Sequence, residues 1–215
     1  MKTVILVSGK LQSGKNLFTD LCMENLKEKY SVSYDYFAKE LKNRCKEDFS
    51  TFVHFINKIS EHLPEDIKDS IHTNDENWYE NKNQLTRLLL QLYGTEIFRN
   101  RVDVNYWAHQ LVKNVKKSNS EIVFITDVRF PSEIEALKGF GFNLITVRIN
   151  RTITREEEFN QHESELALDN YKKFNHVIEN NGTLDELKEK ARLFSETIIS
   201  QIETTNNQIT MDFGI

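Results

Sequence analysis

The chain has 215 residues, 39% apolar and 28% charged, with a formal net charge of −5. An acidic chain without a basic tail lacks the clustered Lys and Arg needed to wrap nucleic acid, although a small anionic substrate needs only a local group of cations. No apolar run approaches ~20 residues, so no membrane span is expected.

This length favours one large domain over two complete ones. Cys22 and Cys45 are the only cysteines; two make neither a disulfide framework nor a C-x-x-C zinc pair, and both are expected to be reduced and structural. The opening run Met1 to Ser8 is too short for a signal peptide, and the expected location is cytoplasmic.

Val4-Ile5-Leu6-Val7 is apolar on both faces, as a central parallel strand requires. A glycine-bounded loop follows, then a helix from about Asn16 with Leu17, Phe18, Leu21, Cys22 and Leu26 on its apolar side. Ser31 to Ala38 is expected to be a second strand. Residues 39–118 are helical in pattern and polar between apolar anchors. Phe52, Phe55, Ile56 and Ile59 share one face, as do Leu88, Leu89, Leu92 and Tyr93, while Pro64 to Asn83 suggests a long loop or weak helix. The region is either a helical insertion carrying acceptor contacts or plain structural helix. Ile122 to Ile125 is a further buried strand. Pro131 stands where a helix begins, its missing N–H no loss there, and Gly139 and Gly141 end that helix. Leu144 to Ile149 and His176 to Glu179 are strands. Thr183-Leu184-Asp185-Glu186 has the form of a capping box, opening a helix with Leu184, Leu187, Ala191, Phe194, Ile198 and Ile202 on one stripe. The tail, 204–215, is polar and expected to lack a fixed structure. Alternating strands and helices predict a layered α/β fold with a parallel sheet.

Gly9-Lys10-Leu11-Gln12-Ser13-Gly14-Lys15-Asn16 fits the phosphate-loop pattern G-x-x-x-x-G-K, with Asn where Ser or Thr is usual. Gly9 and Gly14 allow backbone conformations closed to other residues. The loop's N–H groups and the following helix start then cradle phosphate oxygens, and Lys15 brings a point charge to the outer phosphates. The alternative is a simple glycine turn, but the loop follows a buried strand and precedes an amphipathic helix, the context that phosphate binding requires. At the next position the Asn16 amide is an uncharged candidate Mg²⁺ ligand.

Asp127 follows the strand Ile122 to Ile125, in the crevice where open α/β sheets bind ligands. It could hold Mg²⁺ or its water, orient an acceptor, or cap the next helix. Phosphoryl transfer rests on positioning and charge stabilisation, so several cations are needed. Arg99, Arg101, Arg129, Arg148, Arg151 and Arg155 are the candidates. Arg129 and Arg148 stand out because they lie where apolar strands close. Arg151 and Arg155 fall in a charged stretch, Asn150 to Ser164, that could act as a lid.

Four segments together resemble the phage-type deoxynucleoside monophosphate kinases, and more distantly the animal-type phosphomevalonate kinases. They are Ser8-Gly9-Lys10 with Ser13-Gly14-Lys15; Leu92-Tyr93-Gly94-Thr95-Glu96 with Arg99 and Trp107; Thr126-Asp127-Val128-Arg129; and His162-Glu163-Ser164-Glu165 with Val177 to Gly182. The resemblance implies a P-loop NTPase-type three-layer α/β fold with a five-stranded parallel sheet flanked by helices. The domain would span 1–203, with an acceptor-binding region at 39–118 and a lid at 150–168. It implies Mg²⁺ and ATP as cofactor and co-substrate, and a deoxynucleoside monophosphate as acceptor. The ATP site would comprise Gly9, Lys10, Ser13, Gly14, Lys15, Asn16, Asn180 and Gly182, the last two in a loop lining the adenine. Lys42, Arg99, Trp107 and Arg129 would serve the acceptor. Lys15, Asp127, Arg129, Arg148 and Arg155 would serve the transferred group, with Asn16 and Asp127 at the metal. Trp107 could stack on a base or simply pack in a core. Two departures stand out: the family often has Asp at the Asn16 position, and Leu11 and Gln12 replace residues that are frequently basic. A phosphomevalonate-type acceptor and a non-catalytic nucleotide-binding module are the rival readings, and whether the chain forms a homodimer is open.

Overall fold

The computed structural model describes residues 1–48, 54, 58, 78–80, 84–152 and 163–213. Five strands form one parallel sheet: β1 (Thr3–Gly9), β2 (Val32–Asp35), β3 (Ile122–Ile125), β4 (Asn143–Asn150) and β5 (His176–Glu179), in the order β2-β3-β1-β4-β5. β1 is central because its side chains are apolar on both faces, and Thr3 to Ser8 are all buried. Its neighbours β3 and β4 lie on either side, so the chain leaving β1 enters a crevice at the carboxyl edge of the sheet.

Alternate residues of β1 serve opposite faces. Ile5 and Val7 join Phe124, Val147 and Ile149 in a core completed by α1 (Lys15–Leu26) and the long helix α7 (Leu184–Phe213). α1 contributes Phe18, Cys22 and Leu26, all without exposure, and α7 contributes Leu187, Ala191, Phe194 and Ile198. Phe18 and Phe194 meet at 5.5 Å between ring centroids; burying a side chain of this size is worth about 1.5–3 kcal/mol. On the other face α5 (Pro131–Lys138) buries Ile134 and Leu137 completely.

Two compact units divide the chain, one of residues 1–36 and 112–215, the other of 37–111; the division falls within α4 (Tyr106–Lys117). The second unit contains α2 (Phe37–Glu47), a 3₁₀ turn (Trp78–Glu80), α3 (Gln84–Gln91) and a π-helical stretch (Leu92–Val102). The π stretch begins where the Leu88, Leu89, Leu92, Tyr93 face was expected to run on as α-helix. Leu89 and Tyr93 are nevertheless buried, with Leu88 and Leu92 half-buried. Phe98 packs against Tyr93, Tyr106 and Trp107 at centroid distances of 5.0, 4.8 and 5.1 Å. The short helix α6 (Glu163–Leu166) belongs to the first unit.

Several expectations need correction. β2 stops at Asp35, and Phe37 and Ala38 open α2 instead of closing the strand. Leu17 is exposed, because the buried stripe of α1 runs through Phe18, Thr19, Cys22 and Leu26 and leaves Leu17 to one side of it. Leu184 is exposed too, lying in the first turn of α7. The helix continues through Thr204 to Phe213, where a structureless tail was expected. The Phe52, Phe55, Ile56, Ile59 face lies outside the described residues, as does most of Pro64 to Asn83.

Candidate active site

Residues between β1 and α1 form a tight loop held from several sides. A Cβ on Gly9 would lie 2.4 Å from Ser13 Oγ and 2.9 Å from the Ile149 carbonyl oxygen, so only glycine fits there. Gly14 has φ +85°, and a Cβ on it would lie 2.3 Å from Asn180 Nδ2. Gln12 also adopts a positive φ, 61°, uncommon for a residue with a side chain. Ser13 N–H donates to the Lys10 carbonyl at 3.2 Å. From beyond β5, buried Asn180 donates its amide to the Ser13 carbonyl at 2.8 Å. Thr19 Oγ donates to the Lys15 carbonyl at 2.9 Å, closing the first turn of α1. Backbone N–H groups gathered in a loop of this kind at a helix start suit an anion.

One cleft at the carboxyl edge collects four cations, Lys10, Lys15, Arg129 and Arg148, with the carboxylates Asp127 and Glu165. Lys15 Nζ reaches back to the Lys10 carbonyl at 3.4 Å. Burial lowers the Lys15 pKa, and Arg129 adds to that effect, against the opposing pull of Glu165 and Asp127.

Arg129 is fixed at both ends. Its backbone N–H and that of Phe130 donate to Glu133 Oε2 at 2.8 and 3.0 Å. Its guanidinium is ion-paired to Glu165, whose side chain is 5% exposed. Burial is the largest influence and disfavours the Arg129 charge, but Glu165, Asp127 and Glu133 together outweigh it and the net shift is upward. Arg148 donates one nitrogen to Ser8 Oγ at 2.9 Å and another to Asp169 at 2.9 Å. The second oxygen of Asp169 meets Lys10 Nζ at 2.8 Å. Glu133 supplies the N3 half of a capping box, its carboxylate accepting the Phe130 N–H at the start of α5; Phe130 has no side-chain oxygen to complete the other half, so the sequence shows no such pattern. Glu165 stands in a segment that carries the resemblance but no role was expected of it, and Asp169 gives no sequence signal.

Other expected site residues fall elsewhere. Asn16 is exposed at the start of α1, beside the cleft but not lining it. Asn180 is buried as a clamp on the phosphate loop, and its neighbour Asn181 accepts the Thr152 N–H at 2.7 Å. Gly182 is exposed just before α7. Arg151 lines a second cleft of about 540 Å³, shared with Lys10, Arg148, Asp169 and Glu179. Arg155 lies outside the described residues, with most of the expected lid.

Lys42, Arg99 and Trp107 belong to the second unit. Lys42 is paired with Glu80 at 2.7 Å. Arg99 donates to the Val104 carbonyl at 3.2 Å, and Arg101 is exposed. Of the two readings of Trp107, the structure favours core packing. The side chain is buried, its indole N–H donates to the Gly94 carbonyl at 2.9 Å, and its ring lies in the cluster around Phe98.

The sequence model of the deoxynucleotide monophosphate kinases matches residues 35–191, a span that includes Asp127, Arg129, Arg148 and Asn180. The chain belongs to that family. The phosphate loop precedes the matched span, so its assignment rests on the loop's own geometry and its place after β1. Among relatives, an uncharacterised protein of Ictalurid herpesvirus 1 (strain Auburn) is 34% identical over 97 residues, 44% of this chain and 42% of that protein. The deoxynucleoside-5'-monophosphate kinase of Escherichia phage T5 is 32% identical over 85 residues, 38% of this chain and 34% of the enzyme. The chain thus spans less than half of either relative. A protein of Acanthamoeba polyphaga mimivirus, provisionally named a deoxynucleotide monophosphate kinase, is 28% identical over 161 residues, 70% of this chain and 76% of its own length. The dephospho-CoA kinase from Campylobacter jejuni aligns with 96% of this chain and all of its own, with a TM-score of 0.51 and 15% identity, a likeness of fold alone.

Proposed function

We propose that this family member transfers the terminal phosphate of ATP to a deoxynucleoside 5'-monophosphate, giving the diphosphate. The observation that carries the reading is the cleft itself. A phosphate loop bearing Lys15 meets Arg129, Arg148 and Asp127 at the carboxyl edge of β1, β3 and β4. Transfer of this kind requires cations around the moving phosphoryl group and in-line positioning of the two oxygens, with little covalent chemistry from the protein.

In this reading the loop N–H groups and Lys15 bind the outer phosphates of ATP. The buried Ser13 hydroxyl, which makes no hydrogen bond among the described residues, lies within the same loop. Arg148 and Arg129 approach from β4 and the end of β3, and are assigned to the transferred group and the acceptor phosphate. The second cleft, with Arg151 and Asn150, offers room for the nucleoside. Arg99 and Lys42 are assigned to the acceptor, within an acceptor-binding region at 39–118.

The residues present fit Mg²⁺. Among the described residues no three His, Cys, Asp or Glu side chains converge on a metal-sized site, and Mg²⁺ in phosphoryl-transfer sites takes one or two carboxylates, substrate phosphates and water. Asp127, in the cleft beside Lys15 and Arg129, is a donor of that kind, and Asn16 is the second residue assigned to it. When bound, Mg²⁺ supplies charge neutralisation at the transferred phosphoryl group.

No described helix is long and apolar enough to cross a membrane; we assign the protein to the cytoplasm. The test is a coupled assay for ADP formation with each deoxynucleoside monophosphate, with ribonucleotides, with phosphomevalonate and with no acceptor. ADP formation that depends on a deoxynucleoside monophosphate is expected. Acceptor-independent ADP release, or none with any nucleotide, overturns the reading.

A further inference from the structure

The cations of the phosphate cleft do not stand alone. Glu165 and Asp169 lie four residues apart on one short stretch, α6 and the turn that follows it. Between them they engage three cations from three different parts of the sheet edge. Glu165 pairs with Arg129 after β3. Asp169 places one oxygen 2.9 Å from Arg148 on β4 and the other 2.8 Å from Lys10 in the phosphate loop.

We propose that Glu165 and Asp169 are positioning residues, which hold Arg129, Arg148 and Lys10 in fixed places around the phosphate loop. The proposal rests on the kinase reading for its functional meaning. Arginine carries much rotamer entropy, and a guanidinium free to wander adds little to a transition state that demands defined geometry. Each carboxylate removes that freedom before the phosphates arrive. Asp169 does so for two cations at once, and Arg148 is further tied to Ser8 Oγ, leaving its side chain 12% exposed. Repulsion provides a second reason. Four cations share the cleft, and Arg129 already disfavours the charge on Lys15, after burial. The carboxylates placed between these cations offset that repulsion.

The test is the side-chain NMR of protein labelled with ¹⁵N-arginine, with the Arg129 and Arg148 Nε–H signals assigned through lysine replacements. Glu165→Gln and Asp169→Asn remove charge while keeping shape. Glu165→Gln should shift or broaden the Arg129 signal and leave that of Arg148. Asp169→Asn should do the reverse. In turnover assays kcat should fall about tenfold or more, with KM for ATP changed less than threefold. If Glu165→Gln does not fold, Glu165→Asp retracts the carboxylate by one methylene and should still move the Arg129 signal. Unchanged arginine signals overturn the proposal. So does tighter binding of a non-hydrolysable ATP analogue with undiminished kcat, since the carboxylates would then compete with phosphate. If the arginine signals respond as expected but the unmodified protein phosphorylates no nucleotide, the kinase reading fails and the positioning role stands.

Discussion

Gly14→Ala probes the phosphate loop most directly. Gly14 has φ +85°, which costs a residue with a side chain about 1–2 kcal/mol. The new methyl would lie 2.3 Å from Asn180 Nδ2. Either the core accommodates it, at about 1–3 kcal/mol for overpacking, or Asn180 swings aside and gives up its bond to the Ser13 carbonyl, about 0.5–1.5 kcal/mol. Strain plus the cheaper relaxation gives roughly 1.5–3.5 kcal/mol of lost stability. Urea denaturation of Gly14→Ala, Asn180→Ala and the double variant measures it. Asn180→Ala removes the obstructing amide, so the double variant should lose less than the sum of the singles, by about 1 kcal/mol. A Gly14→Ala protein within 0.5 kcal/mol of the unmodified one, or full additivity, would refute both the loop geometry and the clamp.

Three further outcomes are expected. Lys15→Ala should lower turnover about 100-fold or more with the fold intact, and near-normal turnover would sink the phosphate-loop mechanism. Arg99→Lys should weaken acceptor binding about tenfold or more, because lysine cannot copy the planar fork; an equal loss for a non-hydrolysable ATP analogue would move Arg99 out of the acceptor site. His176 is held below its ordinary pKa of 6.5 by burial. The folded state therefore favours the neutral ring, so this contribution to stability is complete above pH 6.5 and is lost as pH falls through the lower folded value. His176→Phe should flatten that part of the stability profile, and an unchanged acid slope would refute the assignment.

The sheet was legible because buried parallel strands leave an unmistakable signature. Val4 to Val7 and Ile122 to Ile125 are apolar on both faces, and each is a strand. β2 was overextended because Tyr36-Phe37-Ala38 is as apolar as a strand end, and nothing local marks the turn into α2. Apolar spacing also could not reveal that Leu92 begins a π-helical stretch, where hydrogen bonds shift by one residue while Tyr93 stays buried. At the site, the loop glycines announced themselves, as did Asp127 and Arg129 just after β3 and Arg148 near the end of β4. Glu165 stood out only as part of a segment that carries the resemblance, with no role attached, and Asp169 not at all, because ion pairs spanning 36 and 21 residues have no sequence period. Asn180 entered through the resemblance, as part of a loop lining the adenine, and its hydrogen bond to the phosphate loop's own backbone had no sequence signal.

Burial of Trp107 among Phe98 and Tyr106 has a practical consequence for measuring this protein. The sequence holds two tryptophans, Trp78 and Trp107, and both fall within residues 37–111. Selectively excited indole emission therefore watches that unit alone and is blind to the sheet, whereas far-ultraviolet circular dichroism weighs both. If the two optical signals trace the same denaturation curve, the units melt as one; if they separate, the chain has two melting transitions and no single free energy describes it.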